Sequence, residues 1–148
     1  MLLTRVRLLV ATLWAGSLWT VGYLVAPTLF ATLADRVLAG TVAASMFRSE
    51  AWLSIACALA MLVLLVPAKE LDAKRRRLLV VLALAILVGT LVVHFGLQPL
   101  MAGLREAAGP GGVMESAVRT RFGVLHGISS VIYLIQAVLA GVLVVKNA

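Results

Sequence analysis

Apolar positions in this chain neither alternate nor form a narrow stripe. They run on in four unbroken stretches, about residues 8–30, 51–68, 78–101 and 122–145, and none of these contains Asp, Glu, Lys or Arg. A helix needs roughly 20 mostly apolar residues to cross a hydrocarbon core about 30 Å thick, so each stretch predicts a transmembrane helix. The second is the shortest, but the apolar run from Ala39 to Phe47 can extend it past the interface. The alternation of a β-barrel is absent, and long Leu/Val/Ala runs favour helices, which satisfy their own backbone hydrogen bonds in lipid. The expected fold is therefore all-α and integral to the membrane: a four-transmembrane-helix antiparallel bundle, one domain over residues 1–148. The first stretch reads as a retained helix. Its apolar run exceeds the ~7–15 residues of a signal-peptide core, and Trp14, Trp19, Tyr23 and Pro27 sit badly with a small-residue cleavage site.

Composition agrees with this pattern. Hydrophobic residues make up 63% of the 148 and charged residues 13%, against about 45–50% and ~25% in soluble domains; mean hydropathy is +1.10. The charge adds a direction. Eight basic residues (Arg5, Arg7, Lys69, Lys74, Arg75, Arg76, Arg77 and Lys146) fall on one side of the four stretches, with two acids. The other side carries five (Arg36, Arg48, Arg105, Arg119 and Arg121) with four acids. The basic side is expected to be cytoplasmic, which places both termini inside and the protein in the inner cell membrane. Arg5, Arg7 and Lys74–Arg77 are expected to act as topology anchors against anionic headgroups, so the net charge of +7 does not point to nucleic acid. The lone Cys57 excludes an intrachain disulfide.

Helices in lipid associate through close packing of small residues. Gly123, Gly127, Ser130, Ala137 and Gly141 share a face of the fourth stretch, and Gly89, Gly96 and Gly103 repeat every seven residues along the third. Both are expected to be helix-packing stripes. The loops hold one strong breaker, Ala107 to Gly112, and the short loop from Lys69 to Arg77 makes the second and third helices a hairpin.

Candidate chemistry is sparse, because the six carboxylates are all expected in loops. The only two histidines, His94 and His126, fall inside predicted helices, where ionisable groups are costly and count as functional candidates. Counting residues from the helix ends puts both near the outer boundary, with Cys57 at a comparable level. Gln98 and Met101 share the face of His94, while Ser130 and Tyr133 share that of His126, with Ser129 alongside. Imidazole, thiolate and thioether suit copper, and two imidazoles can ligate a haem b. Against this, the histidines can simply hydrogen-bond neighbours and cement the bundle, in which case no cofactor is bound. His94 also points nearly opposite the Gly89–Gly96–Gly103 stripe.

The runs Leu13-Trp14-Ala15-Gly16-Ser17-Leu18-Trp19, Ala26-Pro27-Thr28-Leu29-Phe30, Ala39-Gly40 with Met46-Phe47, and above all Phe122-Gly123-Val124-Leu125-His126-Gly127-Ile128-Ser129-Ser130 carry a resemblance. The chain resembles a family of small four-helix membrane proteins, domain of unknown function 4149, which includes animal transmembrane-protein-205-like proteins. The resemblance implies the four-helix membrane fold and singles out His126. For the animal relatives it implies metal handling or drug resistance, and it assigns no mechanism. It also extends, more weakly, to copper-resistance membrane domains.

Three functional expectations follow. The first is a membrane protein that binds or moves a small solute, a transition metal such as copper leading, through His94, His126, Met101 and Cys57. The second is a non-catalytic accessory subunit, or a homo-oligomer, acting through its glycine faces. The third is a haem b protein. A catalytic enzyme ranks below these.

Overall fold

The computed structural model describes residues 2–148. Four helices dominate: α1 Leu2–Thr32, α2 Arg36–Leu65, α3 Ala73–Ala108 and α4 Arg119–Asn147, each long and apolar enough to cross a membrane. A single 3-10 turn, Val113–Glu115, interrupts the α3–α4 connection, and the described residues contain no strand. This is the architecture of a multi-pass membrane protein. Every helix begins before its predicted apolar stretch, and all but α2, which stops at Leu65, also run past the end of it; polar caps set the starts of α2 and α3. Asp35 accepts from the amides of Val37 (2.9 Å) and Leu38 (3.0 Å), so α2 starts at Arg36. Asp72 accepts from the amide of Arg75 and starts α3 at Ala73. The segment between the first two apolar stretches, residues 31–50, is thus almost wholly helix, the Ala39–Phe47 extension included. The Ala107–Gly112 breaker does end α3, with Gly109 and Gly112 at positive φ.

Connections of three and seven residues, and one of ten between α3 and α4, make neighbours antiparallel, and α1 closes the ring against α4. Two of the helices carry a widened π turn, Thr20–Val25 in α1 and Val92–Leu97 in α3. Each is followed two residues later by proline, Pro27 and Pro99. A proline inside a helix removes an amide donor and collides with the carbonyl four residues back. The wider turn relieves that collision, with the amides of Ala26 and Gln98 bonding five residues back to Val21 and Val93.

Across the middle of the bundle, one buried side chain from each helix joins a single hydrogen-bonded knot. Trp14 Nε1 of α1 donates to Ser54 Oγ of α2 at 2.6 Å. Ser54 Oγ lies 3.1 Å from Thr90 Oγ1 of α3. The Thr90 hydroxyl donates to the Ile86 carbonyl, so Ser54 is the donor between the two. Gln136 Nε2 of α4 donates both to Thr90 Oγ1 (2.7 Å) and to the Ile86 carbonyl (2.9 Å). Gly89 makes room for this amide, since a Cβ there would lie 3.1 Å from Gln136 Cδ. On the side of the knot toward the basic end, the core is apolar: Ala11, Cys57, Ala58, Met61, Leu65, Leu79, Leu82, Ala83 and Leu143.

That end is closed by a clasp of basic side chains. Arg7, 1% exposed, donates to Glu70 Oε1 at 2.6 Å. Arg75 Nε donates to the Lys146 carbonyl, and Arg76 donates to the Val66 carbonyl at the end of α2. Three of the six expected anchors therefore tie helix ends together, while Arg5, Lys74 and Arg77 point outward. Arg7's hydrogen bond is the largest of the influences that hold the Glu70 carboxyl below its ordinary value. A carboxyl depressed in the folded state stabilises the fold above its ordinary value and ceases to as pH falls through the depressed one. Detergent-solubilised protein should lose thermal stability on acidification through that window. Glu70→Gln should lower stability at neutral pH, by stranding a buried guanidinium, and flatten this pH dependence; an unchanged acid profile would contradict the clasp.

Thr90 is the hub of the knot, so Thr90→Val should cost about 1–3 kcal/mol by leaving buried donors unmet. Ser54→Ala and Thr90→Val should be non-additive in a double-mutant cycle read by unfolding in mixed micelles. Costs that add within about 0.5 kcal/mol would show that the two hydroxyls act independently.

Candidate functional site

The buried face of α2 runs Ala39, Ala43, Glu50, Ser54, Cys57, Met61 and Leu65. Helical periodicity therefore places Glu50 one turn beyond Ser54, about 6 Å further from the basic end. The carboxyl is 6% exposed, and its Oε1 has no hydrogen-bond partner among the described residues. A carboxylate in such a position is stable only as the neutral acid or beside a positive charge. It is the one acidic side chain buried within the bundle.

Its surroundings follow from the same one-turn step on each helix. On α4, Tyr133 lies one turn from Gln136. Its hydroxyl donates to the Leu18 carbonyl of α1 at 2.7 Å, and its ring meets Phe47 edge-on at 5.2 Å and Tyr23 at 6.2 Å. Gly22 is what admits it: the Tyr133 ring occupies the place where a Cβ would stand. Phe47 lies three residues before Glu50 on the same face of α2, so the ring cluster stands at the level of the carboxyl. Both π turns, Thr20–Val25 and Val92–Leu97, border this same level, and such turns recur where a helix serves a function. The candidate site is thus an aromatic-walled carboxyl, sealed toward the basic end by the knot.

The residues singled out from the sequence are distributed differently. His94, four residues beyond Thr90, stands one turn outside the knot, against Trp52 (5.4 Å) and Phe95 (4.6 Å). His126 is exposed and stacks on Phe122, rings 6.0 Å apart and 8° from parallel. Counted from the knot, His126 lies about 15 Å out and His94 about 6 Å, so their depths differ by about 9 Å. Cys57 lies one turn to the other side of the knot. Met101 is buried at 3% exposure, whereas Gln98 lines an outer groove with His94. Among the described residues, no three His, Cys, Asp or Glu side chains gather as a metal site. The donor set drawn from the sequence for copper or haem does not converge within one chain. Ser129 and Ser130 bond back to the carbonyls of Leu125 and His126, a local arrangement.

The glycines divide as well. Gly89 receives Gln136 and Gly141 receives Trp19, whose Nε1 donates to the Ala137 carbonyl at 3.0 Å. Gly96, Gly123 and Gly127 have nothing within 4 Å of where a Cβ would be. The apolar pattern starts the second stretch at Ala51 and so leaves Glu50 in a loop, whereas α2 runs through it. The available signal was the Asp35 cap, which extends α2 through Glu50, with Ser54 four residues on.

Gly22→Ala should displace Tyr133, break its bond to Leu18 and cost about 1–3 kcal/mol as overpacking does. Gly123→Ala, at an open position, is the control in the same detergent melting experiment. Equal melting temperatures for the two variants would remove Tyr133 from the wall of the site.

Residues 9–110 match the family described as Domain of unknown function (DUF4149). The matched stretch holds Trp14, Glu50, Ser54 and Thr90, and it stops before Phe122–Ser130, Tyr133 and Gln136. No curated protein and no solved structure matches the chain.

Proposed function

From the premise that the chain belongs to the DUF4149 family, whose description assigns no activity, we propose that it binds or moves a small solute at Glu50, whose carboxyl takes up a proton or a small solute's positive charge. One observation carries this reading: a carboxyl buried inside a bundle of four membrane-length helices, with an oxygen that none of the described residues satisfies. Ionisable groups inside membrane segments are rare, face the bundle interior and mark ion or solute pathways. The Tyr133 hydroxyl, fixed by its bond to Leu18, retains an oxygen lone pair to share with an incoming donor. The knot and the apolar core beyond it block a continuous path toward the basic end, so access is from the opposite end. In the orientation that charge asymmetry favours, that is the outer side of the inner cell membrane, with both termini cytoplasmic. Transition-metal and haem versions of the solute reading draw no support from the placement of His94, His126, Cys57 and Met101.

The second reading is an accessory subunit. The open Gly123–Gly127 face of α4, with His126 beside it, would let another helix approach closely.

The two readings part on Glu50→Gln, which keeps the shape and removes the ionisable proton. Infrared spectra of the wild type should contain a carboxylic-acid C=O band that the variant lacks. In liposomes carrying an internal pH dye, proton uptake under an imposed potential should fall at least about tenfold, equivalent to ~1.4 kcal/mol. No acid band and equal uptake would reject the solute reading and leave the subunit.

A further inference from the structure

Glu50 and Arg48 are two residues apart and therefore about 200° apart around α2. While Glu50 turns inward, Arg48 turns outward into a groove of about 180 Å³ between α2 and α3, lined by Ala44, Arg48, His94, Gln98, Pro99 and Ala102. The groove is built by periodicity: Ala44 and Arg48 on one wall, His94, Gln98 and Ala102 at four-residue steps on the other. Two small alanines leave the space and three polar side chains line it. Arg105 continues the same face of α3, three residues past Ala102. It is held in place, its guanidinium 5.8 Å above the Phe122 ring that His126 covers on stacking.

No carboxylate answers these two charges. Among the described residues the only ion pair is Arg7–Glu70, at the far end of the bundle. A guanidinium without a counter-charge attracts an anion. Guanidinium groups present paired donors matched to phosphate oxygens. The Gln98 carboxamide supplies N–H donors, and the His94 imidazole supplies another from a position set by Trp52. The volume is below the ~300–1,000 Å³ of pockets for drug-sized ligands, which suits a headgroup or a small anion.

We propose that the α2–α3 groove is a binding site for a phosphate-bearing anion, held by Arg48 and Arg105 with Gln98 and His94 donating to it. The ligand is either the headgroup of an anionic lipid or free phosphate. This site is separate from the Glu50 layer and does not rest on its role.

Titration of the detergent-solubilised full chain with short-chain phosphatidylglycerol, and separately with inorganic phosphate, tests it. Trp52 touches His94, so tryptophan fluorescence reports binding, and Trp52→Phe identifies the signal. A saturable response is expected with at least one probe, weakened at least about tenfold (~1.4 kcal/mol) in the Arg48→Gln/Arg105→Gln double variant. Response to the lipid alone assigns a headgroup; response to both assigns the phosphate group itself. Arg48→Gln alone changes only an exposed side chain and gives the same comparison if the double variant melts early. No saturable response to either probe, or one that these variants leave unchanged, overturns the site.

Discussion

Trp14, Ser54, Thr90 and Gln136 hold the structure in register. Lipid is as apolar as leucine, so no hydrophobic force drives these helices together. What distinguishes one arrangement from its neighbours is whether each buried polar group finds a partner. Four such groups, one per helix, satisfy one another in a single chain of donors ending on the Ile86 carbonyl. Sliding any helix by one turn would strand a donor in a medium that offers no substitute. Gly89 is part of the same constraint, because the Gln136 amide passes where a side chain would be.

The knot also divides the molecule. On its basic side lie large apolar side chains and the clasp of Arg7, Arg75 and Arg76, an arrangement suited to rigidity. Beyond it both proline-bearing helices widen, Tyr133 fills the place left by Gly22, and a carboxyl is buried with one oxygen that has no hydrogen-bond partner among the described residues. The cost of burying Glu50 is concentrated beside the strongest cross-links in the bundle, which is where such a cost is tolerated. The histidines belong to neither half of this interior. His94 stands against Trp52 in the α2–α3 groove and His126 over Phe122 on the exposed face of α4, so the polar half away from the basic end is organised by Glu50 facing the bundle and Arg48 facing away from it.

Much was legible in the chain itself. Apolar stretches too long for any soluble element, interrupted by basic clusters, determined four membrane-length helices and their order, because backbone hydrogen bonds in lipid leave few other solutions. The turn at Gly109–Gly112 and the hairpin between α2 and α3 were equally plain. Helix ends were not, because Asp35 and Asp72 cap through geometry and look like ordinary loop acids in a hydropathy scan. That one displaced boundary hid Glu50.

Faces were the other thing left to the tertiary structure. A glycine repeat marks a side on which something can come close, but not which helix does so: Gly89 and Gly141 receive side chains, while Gly96, Gly123 and Gly127 stay open. Nor does a histidine inside an apolar stretch reveal its direction, since rotation of a nearly uniformly apolar helix changes little in lipid. Sequence by itself determined four helices of membrane-spanning length and apolarity and the charge asymmetry between their ends, all of which depend on local composition. The rotation of each helix about its axis depends on which distant polar groups pair, and only the folded bundle decided that Glu50 lies inside and the histidines at the rim.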